Sequence, residues 1–138
     1  MSTFVIGVTG ADGFVGQHVV RRLAQRAGTK VVACPRTAWD DPQELARFAA
    51  ACDAVVHLAG LNRGEDEEIY RRNVELVERL AIAVAANERP ARIVFASSTQ
   101  RTRPSAYGRS KLAGEQTLAR WTARKNRRHA IALEIPNV

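Results

Sequence analysis

The stretch Thr9-Gly10-Ala11-Asp12-Gly13-Phe14-Val15-Gly16 decides the fold of this chain, because it joins two segments of different periodicity. The run at 4–8 before it is apolar or glycine and predicts a buried strand, and apolar residues at helical spacing after it predict a helix to about position 27. Its three glycines would allow a tight bend, close backbone approach to a diphosphate, and close helix–strand packing. The turn therefore predicts a dinucleotide site at a helix N-terminus. A purely structural strand–helix turn is the alternative.

The rest of the chain alternates short apolar runs with amphipathic stretches. We predict further strands at 30–34, 54–58, 92–96 and 130–135, and further helices beginning at Asp41 and covering 66–87 and 105–125. Strands that are apolar on both faces indicate a parallel sheet covered on both sides. The predicted fold class is α/β, a doubly wound parallel sheet of Rossmann type, in one domain spanning 1–138.

Composition limits the classes of function open to the chain. It has 138 residues, 46% of them hydrophobic, which suits one domain with a sizeable core. No apolar run approaches the length of a membrane span, and no secretory leader is recognisable, so we expect a cytoplasmic protein without a membrane partner. Much of the net charge of +7 lies at 120–128, which we interpret as a solvated helix end and not a nucleic-acid face. Cys34 and Cys52 lie in no metal-ligand spacing, and we expect no metal site.

Tyr107 and Lys111 lie four residues apart, a spacing that puts both side chains on one face of the last predicted helix. A tyrosine titrates near about pH 10, and a nearby ammonium would lower that pKa, so the pair could exchange a proton with an alcohol or ketone. Ser97 and Ser98 follow the strand predicted at 92–96, at the edge where ligands bind in open parallel sheets. A serine there could orient a carbonyl oxygen. A helix cap or turn is the alternative.

Together these motifs resemble the extended short-chain dehydrogenase/reductase family, which includes the nucleotide-sugar epimerases, dehydratases and reductases. Further matches follow the family's order along the whole chain, at His57-Leu58-Ala59-Gly60, Asn73-Val74 and Ile135-Pro136-Asn137-Val138. Within the family, the stretches 57–63 and 107–116 look most like the reductase domain of capsular-polysaccharide UDP-sugar reductases.

The resemblance implies a role for individual residues. Tyr107 would be the catalytic acid/base, Ser98 (or, as an alternative, Thr99) would orient the substrate oxygen, and Lys111 would hold the nicotinamide ribose and tune the tyrosine. The cofactor-binding residues implied are Gly10, Gly13, Phe14, Val15, Gly16, Leu58, Ala59, Gly60, Lys111, Pro136 and Asn137.

Arg36 bears on the choice of cofactor. Many NAD-binding members carry an acidic residue at the end of the second strand, whereas this chain has Cys34-Pro35-Arg36 there. An arginine suits a 2′-phosphate, so we favour NADP(H), with NAD possible and a merely solvated arginine as the alternative. The short stretch 35–41 leaves little room for the family's third strand, and we expect Asp40 and Asp41 to cap the following helix.

These features lead to one preferred hypothesis and two alternatives. The preferred function is NADPH-dependent reduction of a keto group on a nucleotide sugar in surface-polysaccharide biosynthesis, by a homodimer formed through the two long helices. The alternatives are an epimerase or dehydratase that retains NAD, and a noncatalytic dinucleotide-binding domain. The chain ends after a strand that would be about the sixth of the family pattern. We therefore expect 1–138 to be the N-terminal part of a longer protein whose substrate lobe is absent.

Overall fold

Strands and helices alternate along residues 2–136, the part of the chain that the computed structural model describes. The strands are β1 (Phe4–Thr9), β2 (Thr29–Ala33), β3 (Ala54–His57), β4 (Arg92–Ser98) and β5 (Ala130–Ile135). The α-helices are α1 (Phe14–Ala24), α2 (Pro42–Ala50), α3 (Asp66–Ala85) and α4 (Ala106–Arg124). Two 3-10 helices, Arg36–Asp40 and Thr99–Thr102, precede α2 and α4 respectively.

The five strands form one sheet in the order β2-β1-β3-β4-β5, and every pairing is parallel. The chain moves from β1 to β2 on one side and then returns past β1 to β3 on the other. The order therefore reverses beside β1, which is where ligands bind in open α/β sheets, beyond the carboxyl ends of the strands. This arrangement confirms the predicted doubly wound Rossmann fold.

Helices cover the two faces of the sheet unequally. Helix α1 packs on β1 and β2, whereas α2, α3 and α4 pack side by side in a row. Right-handed crossovers place α1 on one face and that row on the other. The hydrophobic core lies beneath the row, where fully buried side chains of the size of Leu80 or Ile93 each contribute about 1.5–3 kcal/mol.

The segment between β2 and α2 confirms that the family's third strand has no room in this chain. Residues Arg36–Asp40 form a 3-10 helix, and α2 follows at once. The Asp41 carboxylate caps α2 by accepting bonds from the backbone N–H groups of Gln43 and Glu44, at 3.0 and 3.3 Å. Asp40 belongs to the 3-10 helix, so only Asp41 is the cap. The last strand, β5, is thus the fifth strand of the described residues, where the resemblance had led us to expect about the sixth.

The end of the sheet at β5 carries exposed apolar side chains. Glu134 reaches Arg101 on the side of α4, so by alternation Ile131 and Leu133 lie on the opposite face, where 59% and 51% of their surfaces are exposed. Among the helices of residues 2–136, none combines the length and apolar character needed to cross a membrane.

Candidate active site

A cleft of about 690 Å³ runs along the carboxyl edge of the sheet, beyond the ends of β1, β3 and β4. This volume lies in the usual range for small-molecule sites. The cleft brings together most of the residues predicted from the sequence: Gly10, Gly13, Phe14, Val15, Gly16, Leu58, Gly60, Ser98, Tyr107, Lys111 and Pro136.

Two of the predicted site residues, Ala59 and Arg36, do not line this cleft. Ala59 packs against the core, and its backbone N–H donates to the Thr9 hydroxyl oxygen at 3.1 Å. Arg36 lies beside the cleft, where its guanidinium forms an exposed ion pair with the Asp12 carboxylate. Asn137 lies outside the described residues.

Part of the lining was not predicted from the sequence. The loop after β3 contributes Leu61, Asn62 and Arg63, and the 3-10 helix after β4 contributes Gln100, whereas Ser97 had been placed at this edge together with Ser98. Their positions directly after parallel strands were a usable signal, since such loops surround ligand sites. Arg63 and Lys111 are the cations of the lining, and no described lining residue is an Asp or Glu. The cleft therefore suits an anionic ligand.

The N-terminus of α1 faces the cleft with its backbone N–H groups uncapped. Its N-cap residue, Gly13, makes no side-chain capping bond, and the first turn contains no acidic residue. By contrast, Asp41 caps α2, and Ser105 caps α4 by accepting a bond from the Gly108 N–H. Free N–H groups at a helix N-terminus attract a phosphate.

Two of the loop glycines serve different purposes. A Cβ on Gly16 would lie 1.9 Å from the Gly10 carbonyl oxygen, so packing within the protein excludes any larger residue there. A Cβ on Gly13 would meet nothing closer than that same oxygen at 3.4 Å, an ordinary contact. Packing within the protein therefore does not require glycine at position 13, and the missing side chain leaves room for a ligand to approach the loop backbone closely.

Thr9 and His57 fix the loop after β3 against the glycine turn. The Thr9 hydroxyl oxygen accepts bonds from the backbone N–H groups of Leu58 and Ala59, at 3.0 and 3.1 Å, and lies 2.7 Å from His57 Nδ1. Since the oxygen already accepts two bonds, its proton is donated to Nδ1, which leaves the ring proton on Nε2. Burial lowers the pKa of His57 to about 3, so the ring is neutral at pH 7.

Asn73 of α3 ties the same loop to α4. Its side chain accepts a bond from the Leu61 N–H at 2.7 Å and donates to the Leu61 carbonyl and to Ser110 Oγ at 2.8 and 3.0 Å. The resemblance had singled out Asn73, and the structure gives the residue a positioning task between the two sides of the cleft.

Ser98, Tyr107 and Lys111 meet on the β4–α4 side of the cleft. Ser98 Oγ accepts a bond from the Gln100 N–H at 3.0 Å, and the Ser98 side chain is also a hydrogen-bond partner of the Tyr107 phenol. Lys111 is only 6% exposed, and its Nζ donates to the Ala96 carbonyl at 3.0 Å. Nζ also lies 5.4 Å from the centre of the Tyr107 ring. The prediction that Tyr107 and Lys111 lie on one face of the helix is thus matched by the geometry.

The prediction that a nearby ammonium lowers the pKa of Tyr107 is wrong. Burial raises the pKa of this phenol, and the bond with Ser98 offsets only part of that effect. Lys111 does not reverse it, because Nζ is directed at the Ala96 carbonyl and burial lowers the pKa of Lys111 itself to about 8. Tyr107 therefore keeps its proton at neutral pH in the chain alone.

The connection from β4 to α4 is held by charged side chains. Arg101 Nε lies 2.6 Å from Glu115 Oε2 of α4, and Arg101 Nη1 lies 3.4 Å from Glu134 Oε1 of β5. This connection separates Ser98 from Tyr107, so Arg101 helps to fix the distance between them. Among residues 2–136, no group of three or more His, Cys, Asp or Glu side chains is placed to hold a metal ion.

An uncapped helix N-terminus after a glycine turn and a Ser–Tyr–Lys group share one cleft of a Rossmann fold, an arrangement typical of dinucleotide-binding oxidoreductases. The sequence profile of the NAD-dependent epimerase/dehydratase family matches residues 6–138. The chain therefore belongs to that family.

Individual relatives align with this chain over only part of their own length. A UDP-2-acetamido-2,6-beta-L-arabino-hexul-4-ose reductase of Pseudomonas aeruginosa is 39% identical over 112 residues, covering 80% of this chain and 30% of the relative. A ceramide reductase of Caulobacter vibrioides is 33% identical over 132 residues, covering 83% and 41%. The capsular polysaccharide assembling protein CapF of Staphylococcus aureus superimposes with a TM-score of 0.78 at 27% identity, covering 97% and 34%. The chain thus spans well under half the length of these three proteins.

Proposed function

We propose that the protein to which this chain belongs is an NAD(P)-dependent oxidoreductase that reduces a keto group on a nucleotide sugar. The observation that carries the proposal is the presence, in one cleft, of an uncapped helix N-terminus and the Ser98, Tyr107 and Lys111 group. The first feature suits a dinucleotide diphosphate, and the second suits proton transfer to a carbonyl oxygen.

The residues present fit a nicotinamide dinucleotide. Gly13 leaves the loop backbone open to close approach, and the two cations of the lining, Arg63 and Lys111, face no carboxylate in the described lining. When bound, the nicotinamide would supply the hydride. Pro136 lines the cleft at the end of β5, on the side of Tyr107, and would bound the nicotinamide there.

The proton chemistry falls to the side chains of β4 and α4. Ser98 would orient the keto oxygen beside the Tyr107 hydroxyl, and Tyr107 would donate its proton to that oxygen as negative charge develops. The raised pKa of Tyr107 keeps the proton in place until it is needed, which suits the reducing direction. Lys111 would hold the nicotinamide ribose and, by its charge, stabilise the phenolate left behind.

The substrate class follows from charge and from the relatives. A cleft whose charged lining residues are cations favours an anionic nucleotide sugar over a neutral lipid, and the more identical of the two relatives reported above is named for a UDP-sugar. The name of the Caulobacter protein supplies the competing class, a ceramide-like ketone. We assign the nucleotide-sugar reaction to surface-polysaccharide synthesis, by analogy with the capsular polysaccharide assembling protein CapF.

Turnover of NADPH with candidate ketones tests this function. The protein that contains this chain should oxidise one NADPH for each UDP-keto-sugar reduced, and a keto-sphingoid base should give no turnover. Reduction of the lipid alone would transfer the protein to the other substrate class. Product formation without net NADPH loss would indicate an epimerase or dehydratase. Binding of NADPH without turnover of any ketone would leave a noncatalytic dinucleotide-binding domain.

We further propose that NADP(H) is the preferred cofactor, with Arg36 as the cation for its 2′-phosphate. Arg36→Asp should then shift the preference toward NAD(H). Equal turnover with both cofactors before and after this substitution would exclude the role. Support comes from the position of Arg36, at the carboxyl end of β2 beside the glycine turn.

We propose that residues 1–138 form the N-terminal part of a longer protein, whose further segments cover Ile131 and Leu133 on the open face at β5. We also propose a homodimer through α3 and α4, supported by Ile82, 70% exposed on α3. Ile82→Glu should convert that dimer to a monomer in light scattering, whereas an unchanged mass would exclude this face. Free thiols at Cys34 and Cys52 support a cytoplasmic location, which fractionation would test.

A further inference from the structure

We propose that Asp12 is a specificity-determining residue that acts against Arg36 and sets the balance between NADPH and NADH. The inference rests on the proposed dinucleotide site and deepens it. It concerns a residue of the glycine turn to which neither the sequence motif nor the resemblance gives a role.

Asp12 and Arg36 meet because their segments follow neighbouring strands. β1 and β2 pair in parallel register up to Val8 and Ala33, so the turn after β1 lies beside the segment after β2. The Arg36 guanidinium forms its ion pair with the Asp12 carboxylate at this place. The backbone of Asp12 is held by Gln17, whose Nε2 donates to the Asp12 carbonyl oxygen at 2.9 Å. The carboxylate is therefore presented by a fixed backbone.

The Asp12–Arg36 ion pair alters the charge environment beyond the carboxyl end of β2. The sequence after β2 contains no carboxylate next to Cys34-Pro35-Arg36, which favours a 2′-phosphate. The fold nevertheless brings a carboxylate to Arg36 from 24 residues earlier in the chain. A ribose 2′-hydroxyl can donate to a carboxylate, whereas a 2′-phosphate is repelled by it and competes with it for the guanidinium.

The two side chains thus act in opposite directions at one position. Arg36 favours NADPH, Asp12 favours NADH, and their ion pair lowers the share of Arg36 that is free for a phosphate. Both side chains are exposed, 85% for Arg36 and 61% for Asp12, so water screens the pair. We expect an effect of about three- to tenfold in affinity, smaller at high salt.

Direct binding of the two dinucleotides tests the role of Asp12 without any turnover. Dissociation constants for NADPH and NADH would be measured by calorimetry on the protein that contains this chain and on its Asp12→Asn variant, at low and at physiological ionic strength. Asp12→Asn should tighten NADPH by about three- to tenfold, weaken or leave unchanged the binding of NADH, and show the larger effect at low salt. Unchanged thermal melting would show that the exposed substitution leaves the fold intact.

Two further variants separate the competing explanations. Asp40→Asn removes an exposed carboxylate from the 3-10 helix that also contains Arg36, and should leave both constants unchanged. In an Arg36→Met background, Asp12→Asn should improve NADPH binding less than it does alone, because the pair no longer exists.

The outcomes distinguish this inference from the proposed function. Equal changes for NADPH and NADH, or no change for either, would overturn the role of Asp12 while leaving the dinucleotide site intact. An effect of Asp40→Asn as large as that of Asp12→Asn would reduce the result to net charge and would also overturn it. Failure of the unsubstituted protein to bind either dinucleotide would instead refute the proposed site.

Discussion

Two strand-to-helix connections border the cleft at the same edge of the sheet, and they are built in opposite ways. The connection from β1 to α1 is a short glycine turn whose helix has no side-chain cap. The connection from β4 to α4 contains a 3-10 helix, and Ser98 and Ser105 accept bonds from the backbone N–H groups at its two ends. The first leaves backbone donors free for a ligand. The second satisfies its own donors and presents side chains to the cleft.

Under the proposed function, the first connection would bind the dinucleotide and the second would carry the proton chemistry. Anion binding needs unpaired N–H groups and close approach, which glycine allows. Proton transfer needs side chains at fixed distances, which the capped connection and the Arg101 ion pairs provide. A substitution on one side should therefore change one property and spare the other.

The largest expected effect is that of Tyr107→Phe on the chemical side. Loss of the proton donor should slow hydride transfer by about 10²- to 10⁴-fold, while dinucleotide affinity stays unchanged. Single-turnover kinetics and calorimetry on the protein that contains this chain would measure the two quantities. Tyr70→Phe is the matched control, because Tyr70 is the other tyrosine of the chain and lies on α3. A parallel loss of affinity in Tyr107→Phe would mean that the two connections are not separable.

The next effect, on the binding side, is that of Gly16→Ala compared with Gly13→Ala. An added Cβ at Gly16 collides with the Gly10 carbonyl, so the free energy of unfolding should fall by about 1–3 kcal/mol and dinucleotide binding should be lost. At Gly13 the same methyl group meets no close atom, so stability should be retained while affinity still falls. Urea unfolding and calorimetry measure both. Full affinity in a stable Gly13→Ala variant would show that no ligand approaches the loop there.

On both sides of the cleft, the placement of residues was easier to predict from the sequence than their electrostatics. The roles of Gly10, Gly13 and Gly16 could be predicted because they depend on local backbone geometry, which a motif of a few residues specifies. The Tyr107–Lys111 spacing is likewise local to one helix. The pKa of Tyr107 was predicted wrongly, because it depends on desolvation that only the packed structure reveals. The Asp12–Arg36 pair was not predicted for a related reason. Its two residues meet only because β1 and β2 are neighbours in parallel register, which the sequence alone does not show.

The neutral His57 behind the binding side should make stability depend on pH. Its pKa is lowered from about 6.5 to about 3 in the folded chain, so between these values the unfolded chain binds about one proton more. The contribution of neutral His57 to the free energy of unfolding is fully present above about pH 6.5. Between the two pKa values it falls on acidification by about 1.4 kcal/mol per pH unit. Urea unfolding at several pH values would measure the slope. His57→Gln should reduce it and His129→Gln, at an exposed histidine, should not; equal slopes in all three proteins would contradict the assignment.

The smallest expected effect, and the one of unusual sign, is that of Lys111→Met on stability. Burial lowers the pKa of Lys111 from 10.5 to about 8, so at neutral pH the charged form opposes folding. Methionine removes that cost but leaves the Ala96 carbonyl without its donor, which offsets part of the gain. We expect a net rise of about 1 kcal/mol in the free energy of unfolding, together with loss of hydride transfer. Urea unfolding at neutral pH measures this change, and Lys30→Met, at an exposed lysine of β2, is the control. Destabilisation by Lys111→Met would show that Lys111 supports the fold as well as the site, and the division between a side built for chemistry and a side built for binding would then fail at this residue.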